Sequence, residues 1–193
     1  MTRTTHEILM VVHTGEGQSR RIADRIADAL RDRGAAVSVV EPDVAPEPRG
    51  FDAVVVGDSI HLGRHSQELR RYLVDNAVAL AQAPLALFQV SLTSATHDEE
   101  HDALARKMVA DLVADTGVRP NDVALFAGRL AYTRYGWLKR RVMRSIARRE
   151  GHETDTSKDH EYTDWAAVDA FAEVIARRAG LDQSDHSEHS ATA

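Results

Sequence analysis

Five short apolar segments recur along this chain, and they constrain its fold more than any other feature. They are the runs Ile8 to Val12, Val37 to Val40, Asp52 to Gly57, Leu85 to Val90 and Val123 to Ala127. Short apolar runs between polar loops are typical of strands buried on both faces of a parallel sheet. Because amphipathic helical segments separate most of them, we predict an α/β fold with a doubly wound, five-stranded parallel sheet. The number of strands and the chain length favour the order 2-1-3-4-5.

Apolar residues at helical spacing predict four helices between and after these strands. The helices are expected at about Gln18 to Arg33, Ser66 to Leu80, Asp98 to Asp115 and Asp164 to Ala179. Leu104, Met108 and Leu112 are predicted to form the buried face of the third helix. Asp164 is a suitable N-cap for the last one.

A loop of small and hydroxyl-bearing residues follows the first strand. Gly15 and Gly17 allow a sharp turn and a close approach to a ligand, and Thr14 and Ser19 add hydroxyl groups. A helix that begins near Gln18 points its free N–H groups at the loop. The loop lacks both the Gly-Lys-Ser/Thr of a Walker motif and the third glycine of the dinucleotide fingerprint. We therefore predict an anion site, most simply for the terminal phosphate of a mononucleotide.

Polar loops also follow the third and fourth strands, at residues 58–64 and 91–94. In doubly wound sheets, ligands bind outside the carboxyl ends of the strands, beside the point where the strand order reverses. That point lies between the first and third strands here. The three loops are therefore expected to converge on one site.

Length and composition indicate one domain at residues 1–181, with an insertion at about 129–160 and a disordered polar tail at 182–193. The chain has no cysteine, which excludes disulfides, thiolate metal sites and cysteine nucleophiles. It also lacks an 18-residue apolar run and a signal-peptide pattern, so a cytoplasmic location without a membrane span is expected.

Three stretches resemble the flavodoxin superfamily and, within it, the bacterial menaquinone-dependent protoporphyrinogen IX dehydrogenases. They are HTGEGQS at 13–19, GDSIHLGRH at 57–65 and GRLAYTRYGWLKRRVMRSIARREGHETDTSKDHEYTDW at 128–165. The last is the most specific, because a basic, tyrosine-rich insertion after the fifth strand is not a general flavodoxin feature. The resemblance extends over nearly the whole chain up to about Leu181.

This resemblance implies a flavodoxin-like fold and a noncovalently bound FMN that carries the redox chemistry. It implies three groups of contacts to FMN. The ribityl phosphate would be held by Thr14, Gly15, Glu16, Gly17, Gln18 and Ser19. One side of the isoalloxazine ring would be lined by Ser59, Ile60, His61, Leu62 and Gly63, and the other side by Ser91, Leu92 and Thr93. The implied reaction is dehydrogenation of a porphyrinogen-like substrate, with electrons passed to a membrane quinone. No side chain is an obvious general acid or base, and no metal is expected.

Three residues depart from the family pattern. His13 occupies a position that is usually serine or threonine, Leu62 one that often holds a stacking aromatic residue, and Asp58 adds a negative charge close to the expected flavin. Two other functions therefore remain open. One is an electron carrier or quinone reductase without porphyrinogen activity, and the other is a binding module that has lost its cofactor.

The insertion is electrostatically distinct from the rest of the chain. Residues 129–149 contain eight basic and no acidic side chains, whereas the remainder has 16 basic and 30 acidic ones. If Trp137 to Arg149 is helical, its basic face consists of Arg140, Arg141, Arg144 and Arg148. That face suits peripheral contact with an anionic membrane, the carboxylates of an acidic substrate, or simply solvent. Nucleic acid is not expected because the remainder is acidic.

Aromatic residues accompany these basic side chains. Tyr132 and Tyr135, together with Trp137, form a flat wall for a substrate or anchor the insertion to the core. The sequence alone leaves these two roles open.

Overall fold

A five-stranded parallel sheet forms the centre of the protein, in a computed structural model that describes residues 5–95, 99–130 and 160–181. Its strands are β1 (Glu7–Val12), β2 (Ala36–Val40), β3 (Ala53–Ser59), β4 (Leu85–Ser91) and β5 (Asp122–Ala127). Their order is β2-β1-β3-β4-β5, and every neighbouring pair is parallel. The predicted fold class and strand order are therefore confirmed.

Helices cover both faces of this sheet. They are α1 (Gln18–Arg31), α2 (Gln67–Asp75), α3 (Ala77–Leu80), α4 (Glu99–Thr116) and α5 (Trp165–Arg178). Short 3-10 turns lie at Pro42–Val44 and Thr93–Ala95. Two further short strands, β6 (Arg129–Leu130) and β7 (His160–Glu161), pair antiparallel beside the carboxyl edge of β5.

The core consists of two apolar layers, one on each face of the sheet. Along β1, Ile8, Met10 and Val12 pack towards α1 and α5, whereas Leu9 and Val11 pack towards α2 and α4. All five side chains are at most 2% exposed. Full burial of such a side chain contributes about 1.5–3 kcal/mol, so this central strand accounts for a large part of the apolar driving force.

Side-chain caps fix the starts of two helices. The Asp164 carboxylate accepts hydrogen bonds from the N–H groups of Ala166 and Ala167, which confirms the predicted N-cap of α5. The Ser66 hydroxyl accepts one from the N–H of Leu69 at the start of α2. Caps of this kind satisfy N–H groups that have no partner within the helix.

The segment predicted as one helix from Ser66 to Leu80 is instead two helices, and the single-helix prediction was wrong. Asn76 separates α2 from α3, and its side-chain amide donates to the carbonyl of Tyr72 at 2.9 Å. Asparagine competes in this way for backbone groups, which apolar periodicity does not detect.

The buried face of α4 also differs by one residue from the prediction. Leu104 is 46% exposed, while Ala105 has no exposed surface and packs with Met108 and Leu112. On a helix, Ala105, Met108 and Leu112 (spacing i, i+3, i+7) point within a narrower arc than Leu104, Met108 and Leu112 (spacing i, i+4, i+8). The prediction that Leu104 is buried was therefore wrong, and Ala105 occupies the buried position.

Among the described residues, none of the helices combines the length and the apolar character needed to cross a membrane.

Candidate functional site

The loop after β1 is held in shape by its own hydrogen bonds. The N–H of Gly15 donates to the Ser59 hydroxyl at 3.1 Å, and that of Gly17 to the Thr14 hydroxyl at 2.9 Å. Gly17 has a positive φ of 90° immediately before α1 begins at Gln18. The lone pairs of the Thr14 and Ser59 hydroxyls are thus partly used within the protein. The loop is preformed, and it points the first turn of α1 at the carboxyl edge of the sheet.

Ser19 provides the clearest indication that this loop binds a polar ligand. Its side chain has no exposed surface, and its hydroxyl has no hydrogen-bond partner within the described part of the chain. A buried hydroxyl without a partner is costly, and such groups are common where a ligand completes the bonding. Because Ser19 also lies in the first turn of α1, its hydroxyl and the adjacent N–H groups suit an anion.

The side chain of Gln18 has a structural role that the sequence did not predict. Its amide nitrogen donates to Glu161 at 3.2 Å and to the Thr163 hydroxyl at 2.8 Å. Burial raises the pKa of Glu161, but hydrogen bonds from Arg21 and Gln18 outweigh it, so the net pKa lies below its ordinary value. Because its side-chain amide is occupied, Gln18 can offer only its backbone N–H group to an anion. The side chain instead links α1 to β7, through Glu161, and to Thr163 between β7 and α5.

The three loops meet around a cavity of about 160 Å³. The predicted residues that line it are Glu16, Gln18, Ser19, Ser59, Ile60, His61, Ser91 and Leu92. Ser59 and Ser91 are the last residues of β3 and β4, not loop residues as predicted, because the strand pairing continues through them. Ser91 further shares its hydroxyl with Ser94 at 2.9 Å. The expected convergence of the loops is thus present in the structure.

Several predicted residues do not line this cavity. They are Thr14, Gly15, Gly17, Leu62, Gly63 and Thr93, of which Gly63 lines a different cavity. Val90, Gly128 and Arg129 line the cavity although the sequence did not single them out. Gly128 and Arg129 directly follow β5, so the rule that ligands bind at the carboxyl ends of strands could have identified them.

The loop after β3 carries two unusual features. The His61 ring lies directly on Gly15: a Cβ atom placed on Gly15 would be 2.1 Å from His61 Nε2, so a side chain there would displace the ring. Leu62 has a φ of 51° and is fully exposed. A left-handed conformation costs a residue with a Cβ atom about 1–2 kcal/mol. Strain at an exposed apolar residue next to a ligand loop is typical of functional positions.

Asp58 is buried within β3, whereas the sequence had placed it in the loop. Its side chain has no exposed surface and accepts from Ser66 N–H at 2.7 Å and from the Ser66 hydroxyl at 3.0 Å. The Nδ1 atoms of His13 and His65 lie 3.0 Å and 3.2 Å from its two oxygens. We call these four residues the Asp58 cluster. The carboxylate of Asp58, which the sequence analysis placed close to the expected flavin, is thus surrounded by hydrogen-bonding groups of the protein itself.

A larger cavity of about 450 Å³ lies between α2 and α4. Arg70 and Asp115 both line it and form a 2.7 Å ion pair with each other. The cavity contains none of the residues of the loops after β1 and β4. The smaller cavity is therefore the candidate ligand site, because three loops meet there with the Ser19 hydroxyl, which has no partner among the described residues.

The candidate substrate or membrane residues of the insertion lie outside the described residues. These are Tyr132, Tyr135, Trp137, Arg140, Arg141, Arg144 and Arg148.

Comparisons with known proteins agree with the sequence-based expectations. The chain is 32% identical over 170 residues to a protoporphyrinogen IX dehydrogenase [quinone] of Escherichia coli, covering 87% of this chain and 93% of that protein. It is 31% identical to the enzyme of that name from Leishmania major, covering 91% and 77%. An archaeal flavodoxin structure is 13% identical, with a TM-score of 0.51 over 90% of this chain and 99% of that one.

These similarities confirm the predicted class, an oxidoreductase of the FMN-binding flavodoxin type. Residues 9–157 match the Flavodoxin domain family. The match spans most of the sheet and both the loop after β1 and the loop after β3. The chain therefore belongs to the flavodoxin domain family.

Proposed function

We propose that this protein is an FMN-dependent dehydrogenase that oxidises protoporphyrinogen IX and reduces a quinone. The observation that carries the proposal is the buried, unpaired Ser19 hydroxyl at the mouth of a preformed anion loop. The activity itself is supported by relatives that carry this name and align over most of their length. Each removal of two hydrogens from the substrate yields two electrons and two protons, which together convert one quinone to its quinol. Complete oxidation of a porphyrinogen to a porphyrin therefore takes three such steps and consumes three quinones.

The loop after β1 would hold the terminal phosphate of FMN. The Ser19 hydroxyl would donate a hydrogen bond to the phosphate, and the N–H groups of the first turn of α1 would donate further hydrogen bonds to it. Gly15 leaves room for the His61 ring, and Gly17 supplies the left-handed turn into the helix. The hydrogen bonds within the loop reduce the ordering cost of binding, because they hold the backbone of the loop in place before the ligand arrives.

The loops after β3 and β4 would enclose the flavin ring system between them. Ile60, His61, Leu62 and Gly63 would lie on one side with Ser59, and Ser91, Leu92 and Thr93 on the other. The bound flavin supplies the acceptor and donor of the two electrons. The chain contributes position and the exclusion of water, and Leu62 offers an exposed apolar surface for this purpose.

Two other functions compete with this one. An electron carrier or quinone reductase would bind the same cofactor but leave protoporphyrinogen untouched. A cofactor-free binding module would leave the Ser19 hydroxyl unpaired, which is unfavourable for a buried polar group. The Ser19 environment favours a flavin-binding protein over the module.

The deciding experiment measures cofactor content and turnover together. We expect the purified protein to be yellow, or to become so with FMN, and to convert protoporphyrinogen to fluorescent protoporphyrin anaerobically when a quinone is added. The control is the same protein freed of flavin. A yellow protein that quinone reoxidises but that never oxidises protoporphyrinogen would be a carrier or quinone reductase. A protein that stays colourless with FMN would contradict every flavin-dependent function.

We further propose that the basic insertion brings the protein to the cytoplasmic face of the membrane, where a lipid-soluble quinone is available. The proposal rests on the charge pattern of residues 129–149. Each basic side chain near an anionic bilayer contributes about 1 kcal/mol. The four arginines Arg140, Arg141, Arg144 and Arg148 would therefore suffice for reversible attachment if they reach the bilayer together.

Co-sedimentation with vesicles tests this attachment. We expect binding to anionic but not to zwitterionic vesicles, with release by salt. Replacing Arg140, Arg141, Arg144 and Arg148 by alanine should lower the bound fraction strongly. Replacing the exposed Arg71 and Arg106 should leave it nearly unchanged. Equal sedimentation of the fourfold variant would contradict the proposal and favour a face that contacts solvent or substrate.

A further inference from the structure

Thr163 joins three elements around the candidate ligand site. Its hydroxyl donates to the carbonyl of Ala127, the last residue of β5, at 2.8 Å. The same oxygen accepts from the side-chain amide of Gln18, the first residue of α1, at 2.8 Å. Thr163 itself directly precedes Asp164, the N-cap of α5. Because a hydroxyl has one proton and two lone pairs, this single group can bridge the start of α1 and the end of β5.

The residues beside Thr163 are bonded to the wall of the cavity. Tyr162 donates its N–H to the carbonyl of Gly128 at 3.2 Å. Arg129 in β6 pairs with Glu161 in β7. Gly128 and Arg129 both line the cavity. The segment that carries Thr163 therefore supports one wall of the cavity. It also closes the base of the insertion, which we define as the paired strands β6 and β7.

The side-chain amide of Gln18 is held in one orientation. Its oxygen accepts from Arg21 at 3.0 Å, and its nitrogen donates to Glu161 at 3.2 Å as well as to Thr163. A guanidinium can only donate and an ionised carboxylate can only accept, so these partners fix both ends of the amide. Arg21 also pairs with Glu161 at 3.1 Å and lies 5.4 Å from the centre of the Trp165 ring. Several contacts thus bind the first turn of α1 to the base of the insertion.

The same turn of α1 faces the candidate ligand. Gln18 and Ser19 both line the cavity, and the buried Ser19 hydroxyl has no partner among the described residues. The residue that offers its backbone N–H to an anion is thus the residue whose side chain holds the base of the insertion. Where two events fix the same turn, each favours the other by the same factor.

We propose that Thr163 is a positioning residue of the FMN site: its two hydrogen bonds set the spacing between the loop after β1 and the cavity wall formed by Gly128 and Arg129. The proposal rests on the FMN-binding function proposed above. Thr163 does not line the cavity, so it acts through Gln18 and Ala127. FMN binding and the docking of the base of the insertion stabilise each other in this arrangement.

Hydrogen exchange of the wild-type protein tests the coupling directly. The amide of Tyr162 is the probe, because it is bonded to Gly128 at the cavity wall. We expect saturating FMN to slow its exchange about 5- to 10-fold, the equivalent of about one hydrogen bond. The amide of Gly117, bonded to Val113 at 2.9 Å at the end of α4, is the control and should not change. This measurement needs no variant, so it decides the matter even where a substitution prevents folding.

The Thr163→Val variant removes the hydroxyl and keeps the β-branched shape. We expect it to bind FMN about 5- to 10-fold more weakly than the wild type, measured by quenching of flavin fluorescence on the full chain freed of flavin. Thr163→Ser keeps the hydroxyl and should retain most of the affinity. Combining Thr163→Val with Gln18→Leu should weaken binding by less than the two single effects together, because both substitutions remove the same hydrogen bond.

Thr116→Val is the matched control, because the Thr116 hydroxyl also makes two hydrogen bonds. It donates to the carbonyl of Leu112 at 2.7 Å and accepts from the N–H of Val118 at 3.3 Å. This control should leave FMN affinity near that of the wild type. Equal FMN affinity of the Thr163→Val and Thr116→Val variants, or unchanged exchange at Tyr162 with FMN bound, would overturn the inference and leave FMN binding intact. A wild-type protein that binds no FMN would overturn the proposed function as well.

Discussion

Replacing Asp58 by alanine is expected to lower the free energy of unfolding by about 3–5 kcal/mol, because several donors lose their shared acceptor and each buried polar group left unpaired costs about 1–3 kcal/mol. The substitution leaves His13, His65 and the Ser66 N–H group without their acceptor. It also removes the support for the N-cap of α2, because the Ser66 hydroxyl donates to the same carboxylate. Urea unfolding of the flavin-free protein measures the change, since a bound ligand would add its own stabilisation.

Asp169→Ala is the matched control for this experiment. Asp169 also forms a close carboxylate pair, 2.7 Å from Arg25, but both side chains are exposed. Exposed pairs contribute little because water and salt screen them. If Asp58→Ala and Asp169→Ala lower the free energy of unfolding by the same amount, the Asp58 cluster does not stabilise the carboxyl edge of the sheet.

Replacing Ser19 by alanine is expected to weaken FMN binding about 10- to 100-fold, the equivalent of one hydrogen bond to a charged group. The same substitution should leave the stability of the flavin-free protein unchanged or slightly increased. The reason is that it removes a buried hydroxyl that has no partner among the described residues. Fluorescence titration with FMN and urea unfolding measure the two effects on one sample.

A loss of FMN affinity without a loss of stability distinguishes a hydroxyl that binds the ligand from one that stabilises the fold. Ser38→Ala, on the exposed side of β2, is the control and should alter neither quantity. A Ser19→Ala protein that is clearly destabilised would show that the hydroxyl is bonded in the folded protein. Unchanged FMN affinity would show that the phosphate binds elsewhere.

The candidate site was only partly accessible to sequence reasoning. The loop after β1 was identified from its glycines and hydroxyl groups, because these define local geometry. Gln18 was assigned to the ligand, yet its side chain bonds Glu161 and Thr163, which are more than 140 positions away. Asp58 was placed in a loop because aspartate is unfavourable in a buried strand. Its burial became possible only through two histidines and Ser66.

The layered architecture and the strand order follow from the pattern of apolar runs along the chain. Apolar runs of strand length must be buried, and βα connections leave few ways to do so. The pattern also predicted that a ligand binds at the carboxyl edge of the sheet. Which polar groups are satisfied there depends on the folded arrangement: the Thr14 hydroxyl is used within the loop, whereas the Ser19 hydroxyl has no partner among the described residues. Hydrogen bonding depends on partners that are distant in sequence and close in space, whereas apolar periodicity depends on neighbours along the chain.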